Sequence, residues 1–220
     1  MGDDVVLSFH DSLLRVSDVH LLSGPYWLND NIIGFAFEFI ENVLCKDCSG
    51  IFSFISPQVT QFIKLVNEPG ELDAFLEPLS LSTKKFVALA VNDSESRSDV
   101  GGSHWSLLVL DVDSGVFRHY DSSSQHNHDA ARLLARQLAR YMRIVSDRFV
   151  EEEMPQQRNG YDCGVYAIAV AEELCKSEMH IGDVGSANLA SITPSYVESC
   201  RQRLRKLISE LHDEKIHTPN

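Results

Sequence analysis

Two short apolar runs near the middle of the chain constrain its fold more than any other feature. The runs are FVALAV at residues 86–91 and WSLLVL at residues 105–110. Almost uninterrupted apolar runs of this length are typical of strands that are buried on both faces. We therefore predict that both runs are central strands of a sheet.

The second run continues into a predicted β-hairpin. A turn at residues 113–115 (DSG) leads to a third strand at residues 116–120, so that residues 104–121 form the hairpin. In the register that this loop sets, Asp121 is the diagonal neighbour of His104 on the same face, at roughly 5 to 8 Å. The pair is then either an imidazole oriented by a carboxylate, or a strand-end histidine beside a turn residue.

Helices are predicted on both sides of these strands in the sequence. Capping residues and the spacing of apolar positions indicate where the helices begin. The predicted starts are residues 29–30, 56–57, 128, 163 and 193–194. The helix from residue 163 is expected to end near residue 175, residues 149–150 to form an edge strand, and residues 212–220 to form a frayed tail.

The charge of the chain excludes one class of partner. Asp and Glu number 32 against 19 Lys and Arg, which gives a net charge of −13. This is the wrong sign for binding a phosphate backbone, so we expect no nucleic-acid partner. Because no long apolar stretch and no basic leader are visible, we expect a soluble protein of the cytoplasm or the nucleus, with no membrane partner.

Cys163 lies where a nucleophilic thiol is expected. It occupies the first turn of a predicted apolar helix, whose N-terminus stabilises a thiolate over a thiol. A lone cysteine is more often a core residue, so the interpretation depends on a base, for which His104 oriented by Asp121 is the candidate. The backbone N–H of Cys163 and the side-chain amide of either Gln156 or Gln157 are candidate donors to an oxyanion.

The other four cysteines are weaker candidates. Five cysteines are too few and too irregularly spaced for a disulfide scaffold in a chain of this length. Cys45 and Cys48 have the spacing of a redox or zinc pair, but they fall at a helix C-terminus and lack further ligands at compatible spacing. Cys175 and Cys200 are predicted to be core residues. We therefore expect no metal site.

Three segments in this order resemble the Ulp/SENP family of cysteine proteases. They are residues 104–105 (HW), 120–122 (YDS) and 157–164 (QRNGYDCG), and residues 27–30 (WLND) match the family's N-terminal signature. The resemblance covers roughly residues 5 to 210. It implies a papain-like α+β fold in one protease domain, residues 1–220, with a helical N-terminal lobe (about residues 1–80) packed on a central mixed sheet with flanking helices (about residues 84–211).

The resemblance also implies roles for individual side chains. The catalytic residues would be the nucleophile Cys163, the general base and acid His104, its orienting partner Asp121 and the oxyanion donor Gln157. The two tryptophans, Trp27 and Trp105, would clamp the substrate, and Asp30 would bind its tail. From the residues alone, core packing is the more common role of a tryptophan, and the position of Asp30 suits a helix cap.

Members of the family cleave after the Gly-Gly tail of ubiquitin-like modifiers. Within the family the chain is most similar to the small deneddylase, which acts on the neddylation modifier RUB. The segments that carry this likeness are residues 17–19 (SDV), 34–38 (GFAFE), 54–57 (FISP), 59–64 (VTQFIK) and 75–79 (FLEPL). We expect a monomer without cofactors that hydrolyses the modifier's precursor and its protein conjugates through a thioester. A SUMO protease and a catalytically silent modifier-binding module are the alternatives.

The acidic character of the N-terminal third generates a prediction. Residues 1–80 hold twelve acidic and three basic residues, a net charge of −9, and they include Trp27 and Asp30. By resemblance this segment faces the modifier, so we expect it to attract a basic surface of that partner. The apparent KM should rise as NaCl is increased from about 0.05 to about 0.5 M. A KM that is constant over this range would contradict the prediction.

Overall fold

A computed structural model of the chain describes residues 2–46, 50–67, 69–96, 101–145 and 148–217. The strands are β1 (Val5–Phe9), β2 (Ser12–Arg15), β3 (Phe52–Ile55), β4 (Phe86–Asn92), β5 (Trp105–Asp111), β6 (Val116–Tyr120) and β7 (Phe149–Glu151). The α-helices are α1 (Val16–His20), α2 (Asp30–Phe39), α3 (Pro57–Leu65), α4 (Asp73–Leu76), α5 (His128–Met142), α6 (Cys163–Ile181) and α7 (Pro194–His217). A π-helical turn at Ile40–Leu44 continues α2.

Five of the strands form one mixed sheet in the order β3-β4-β5-β6-β7. The two predicted apolar runs are β4 and β5, which pair with each other in its interior. All residues of β4 are buried, which confirms that this run is a central strand. β5 and β6 pair in the predicted register, with Asp111 opposite Val116, and β7 is the predicted edge strand.

The core lies on both faces of this sheet because successive residues of a strand point to opposite sides. On one face, Leu107 and Val109 of β5 belong to a cluster with residues of α2, α6 and α7. On the other face, Leu108 and Leu110 belong to a cluster with residues of α3 and α5. The predicted fold class, α+β with helices flanking a mixed sheet, is confirmed.

The N-terminal lobe contains strands that the sequence analysis did not predict. β1 and β2 form an antiparallel hairpin, and β3 pairs in parallel with β4. These strands have only four or five residues, too few for a clear alternation. Their stability therefore depends on tertiary packing, and the lobe is not purely helical.

Two helices are longer than predicted. α6 continues past residue 175 to Ile181 and ends at Gly182, whose φ of 75° is a left-handed conformation that favours glycine at a helix C-terminus. The predicted frayed tail at residues 212–220 is wrong as far as His217, because α7 extends that far. His212 Nδ1 lies 2.6 Å from the Val6 carbonyl oxygen, and this contact holds the C-terminal part of α7 against β1.

The structure places Cys45, Cys175 and Cys200 in the core. For Cys175 and Cys200 this confirms the prediction. Cys48, the second member of the predicted redox or zinc spacing, lies outside the described residues. Across the part of the chain that is described, no helix is both long enough and apolar enough to span a bilayer.

Candidate active site

Three chain segments meet at one edge of the sheet to form the site. His104 immediately precedes β5, and Asp121 immediately follows β6. Because β5 and β6 are antiparallel, the start of one and the end of the other lie at the same edge. α6 packs against β5 and begins at Cys163. The hairpin and the helix thus bring three residues that are far apart in the sequence to one place.

The hairpin brings His104 and Asp121 into direct contact. The Asp121 carboxylate accepts a hydrogen bond from the imidazole, with His104 Nε2 and Asp121 Oδ1 2.6 Å apart. Both side chains are buried. The carboxylate also accepts the backbone N–H groups of Ser123 and Asn127, each at 2.8 Å. These bonds fix its orientation, so the predicted pairing of imidazole and carboxylate is present in the fold.

The contacts of His104 favour its protonated form. Burial by itself lowers the pKa of His104, but hydrogen bonds to Asp121 and Cys163, together with their negative charges, outweigh burial and raise this pKa to about 9. Burial by itself raises the pKa of Asp121, but the hydrogen bonds from His104 and from the backbone N–H of Asn127 lower it. Since Nε2 of His104 is hydrogen-bonded to Asp121, Nδ1 is the ring nitrogen that is available to Cys163.

Cys163 lies at the floor of a groove and is only 1% exposed. As the first residue of α6 it is next to helical N–H groups that have no acceptor within the helix. Gly164 allows close packing at this point. A Cβ atom on Gly164 would lie 3.2 Å from both Leu28 Cβ and Ile33 Cδ1, and 3.5 Å from the Trp105 ring. A larger residue would push these neighbours away from the thiol.

The two adjacent glutamines have different partners. Gln157 Oε1 accepts from Ser122 Oγ at 2.8 Å, and one hydrogen of Nε2 goes to the Asn159 carbonyl oxygen at 2.7 Å. Gln156 uses its Nε2 on the carbonyl oxygens of Asp121 and Met154. Because the Gln156 amide is committed to these two acceptors, Gln157 is the better candidate for an oxyanion donor.

The groove above Cys163 has a volume of about 570 Å³. The three predicted substrate-binding residues, Trp27, Asp30 and Trp105, line it together with His104. Trp27 is 51% exposed, and its Nε1 donates to the Gly160 carbonyl oxygen. Trp105 Nε1 donates to the Leu28 carbonyl oxygen at 3.0 Å. The exposure of Trp27 argues against a role in the core.

Asp30 does not cap the helix that follows it, so that interpretation is wrong. The N-cap of α2 is Asn29, whose Oδ1 accepts from the backbone N–H of Ile32 at 3.1 Å. Asp30 is the first helical residue, and its Oδ2 accepts from Gln58 Nε2 at 2.9 Å at the edge of the groove. Its carboxylate is therefore directed at the groove rather than at the helix backbone.

Asp93, which was not predicted, holds the backbone at His104 and the residue before it. Its Oδ1 accepts the backbone N–H groups of Ser103 and His104 at 2.6 and 3.1 Å, and its Oδ2 accepts Ser103 Oγ at 2.6 Å. The pairing of β4 with β5 contains the signal that could have revealed it. Asn92 lies opposite Trp105, so the next pair in this register is Asp93 and His104.

Asn127 was also missed. It is buried, and its Nδ2 lies 3.1 Å from the Val91 carbonyl oxygen, 3.3 Å from that of His104 and 3.0 Å from Ser106 Oγ. Its own backbone N–H binds Asp121. One residue thus joins three neighbouring strands behind the site, which no local sequence pattern indicates. Within the described ranges, no group of three or more His, Cys, Asp or Glu side chains is arranged to hold a metal ion.

The fold and the contacts among Cys163, His104 and Asp121 are those of a papain-like cysteine protease. Residues 26–216 match the Ulp1 protease family, C-terminal catalytic domain. The chain belongs to this family of cysteine proteases.

Particular relatives extend over the whole chain. It is 47% identical over 211 residues to sentrin-specific protease 8 of Homo sapiens, covering 95% of this chain and 98% of that protein. It is 33% identical to NEDD8-specific protease 1 of Arabidopsis thaliana, covering 97% of this chain and 96% of the relative. Among solved structures, it is similar to the Ulp1 protease domain in complex with Smt3, the yeast ortholog of SUMO. That match has a TM-score of 0.72 and 17% identity, over 96% of this chain and 89% of the other.

The pKa of His104 predicts how activity depends on pH. Because this pKa is raised from 6.5 to about 9, the imidazole stays protonated through neutral pH and loses its proton only near pH 9. The basic limb of kcat/KM should lie there. Asp121→Asn removes a charge that raises this pKa, so the limb should move to lower pH and kcat should fall. Asp129→Asn, at an exposed carboxyl on α5, is the control. If the basic limb of the Asp121→Asn variant stays at the wild-type pH, the assignment of Asp121 as the partner of His104 is contradicted.

The different contacts of the two glutamines predict different effects of substitution. Gln157→Ala should lower kcat about 10² to 10³-fold with little change in KM, as expected for the loss of an oxyanion donor. Gln156→Ala removes an amide from the same loop and should lower kcat less than about 10-fold. Steady-state kinetics with one fluorogenic substrate measures both. Equal losses in the two variants would argue against Gln157 as the donor.

Proposed function

We propose that this protease acts on NEDD8, cleaving after its C-terminal Gly-Gly to process the precursor and to release the modifier from conjugates. The observation that carries the proposal is the full-length similarity to a relative named NEDD8-specific protease 1. The buried contact between His104 and Asp121 beside Cys163 supports catalysis over simple binding.

The groove suits a substrate tail without side chains. Trp27 and Trp105 present flat aromatic surfaces beside Cys163, and Gly101 and Gly102 line the groove as well. Gly102 has a φ of 89°, and a Cβ atom there would overlap Asn92 Oδ1 at 1.9 Å. We infer that the two aromatic surfaces select glycine, since a side chain on the substrate would have to displace one of them.

The reaction begins with attack of the Cys163 thiolate on the terminal glycine carbonyl. The carbonyl oxygen becomes an oxyanion, which the Cys163 N–H and the Gln157 side-chain amide stabilise. His104 donates its proton to the departing lysine amine, which leaves the modifier bound to Cys163 as a thioester. His104 then takes a proton from water, and the water oxygen attacks the thioester carbonyl. The modifier leaves with a free carboxyl group, and Cys163 returns to the thiolate beside the protonated imidazole. Asp121 keeps the imidazole oriented through both steps.

The alternative of a SUMO protease rests on the shared fold with Ulp1. That similarity is at 17% identity and does not extend to substrate choice. A binding module without catalysis would not require the side chains of Cys163, His104 and Asp121 to lie together. A direct assay of hydrolysis distinguishes both alternatives from the proposed function.

Side-by-side hydrolysis tests the proposal. Reporters of NEDD8, SUMO and ubiquitin, each with a C-terminal fluorogenic amide, should be compared by kcat/KM under the same conditions. We expect NEDD8 to be cleaved at least about 100-fold faster than SUMO, a discrimination of roughly 3 kcal/mol in the transition state. Faster cleavage of SUMO would overturn the NEDD8 assignment, and no cleavage of any reporter would favour the binding module.

Two cysteine variants provide the matched control for this assay. Cys163→Ala should abolish hydrolysis, whereas Cys200→Ala should retain it because Cys200 is a core residue away from the groove. Hydrolysis that survives Cys163→Ala would show that the nucleophile is assigned to the wrong residue.

A further inference from the structure

Arg201 of α7 holds a buried guanidinium that the mechanism above does not use. The residue is only 7% exposed. Its Nε donates to Asp162 Oδ1 at 2.7 Å, and its Nη1 donates to the Leu21 carbonyl oxygen at 2.9 Å. Its Nη2 donates to the carbonyl oxygens of Tyr26 and Tyr161 at 2.8 and 3.2 Å. Four of the five N–H donors of the side chain therefore have acceptors in the protein.

These acceptors belong to two different segments that meet at the groove. Leu21 and Tyr26 lie on the segment that leads to Trp27, whereas Tyr161 and Asp162 lie on the turn that leads to Cys163. One planar cation thus joins the segment of the exposed tryptophan to the segment of the thiol. Lysine cannot reproduce this arrangement, because its ammonium lacks the rigid fork of donors.

The contact between Arg201 and Tyr26 is one residue away from Trp27. The Trp27 side chain reaches across to the Gly160 carbonyl oxygen, in the same turn as Tyr161. With the ring half-exposed, its position depends on this hydrogen bond and on the backbone to which it is attached. The guanidinium binds that backbone at Tyr26 and the turn of the acceptor at Tyr161.

Arg201 also pairs with a carboxylate beside the nucleophile. Asp162 directly precedes Cys163, and its side chain is 14% exposed. Arg201 Nε donates to Asp162 Oδ1, and Asn159 Nδ2 donates to Asp162 Oδ2 at 2.7 Å. Both oxygens of this carboxylate therefore have donors, which fix the turn that leads to Cys163.

We propose that Arg201 is a positioning residue. Its fork of hydrogen bonds fixes the Trp27 segment against the Cys163 turn. The inference rests on the proposed function in one respect, namely that the groove holds the glycine tail of a modifier.

Substitutions test the fork. Arg201→Lys keeps the charge and loses the fork, so KM for the best-cleaved reporter should rise about 10-fold while kcat changes less than about threefold. Arg201→Met loses the charge and the fork, and its KM should rise at least as much. The rate of Cys163 alkylation by iodoacetamide at one fixed pH should stay within about twofold of the wild type in both variants, because that reaction does not use the Trp27 wall.

Arg203→Met is the matched control. Arg203 lies on the same helix, its side chain is 48% exposed, and it pairs with Glu172 away from the groove. We expect its KM and its alkylation rate to equal those of the wild type. Alkylation is read from the peptide that contains Cys163, so that the other cysteines do not contribute, and thermal melting establishes that each variant is folded.

Two results would overturn the inference. Arg201→Lys with a KM within about twofold of the wild type would show that the fork does not position the groove. An alkylation rate in Arg201→Lys that falls as far as kcat/KM would show that the substitution damages the whole site rather than the position of the Trp27 segment. Alkylation does not involve a modifier, and modifier choice is read from the wild type alone. A failure of the NEDD8 assignment is therefore distinguishable from a failure of this inference.

Discussion

The antiparallel pairing of β5 and β6 is the constraint on which the site depends. A side chain in a strand changes face when the register slips by one residue, so a slip by one residue would place His104 and Asp121 on opposite faces of the hairpin. The observed register, with Asp111 opposite Val116, places them on the same face. Burial of β5 on both faces fixes the register, because a slip would exchange the residues that face the two halves of the core.

The second requirement is close packing of α6 against this hairpin. Gly164 admits Leu28, Ile33 and Trp105 at contact distance, so the first turn of the helix can approach both the histidine and the aromatic wall. The thiol, the imidazole and the carboxylate then act as one ionic unit, in which each negative neighbour favours the protonated imidazole. Arg201 joins the turn before Cys163 to the Trp27 segment.

Much of this arrangement was predictable from local patterns. The apolar runs predict the central strands, the DSG turn predicts the hairpin register, and caps predict where α2, α3, α6 and α7 begin. Local patterns do not show which side chains from distant segments contact each other. Asp93, Asn127 and Arg201 act through contacts of this kind, and β1 to β3 are too short to be recognised without the packing that stabilises them. The choice of Gln157 over Gln156 likewise required the observed hydrogen bonds.

Covalent trapping tests the central claim most directly. NEDD8 with an electrophile in place of its C-terminal carboxyl group should be incubated with the protein, and the modified residue located by mass spectrometry. The account predicts one adduct, on Cys163, whose formation slows strongly in Asp121→Asn. An adduct on another cysteine, or no adduct from a folded protein whose Cys163 reacts with iodoacetamide, would contradict it.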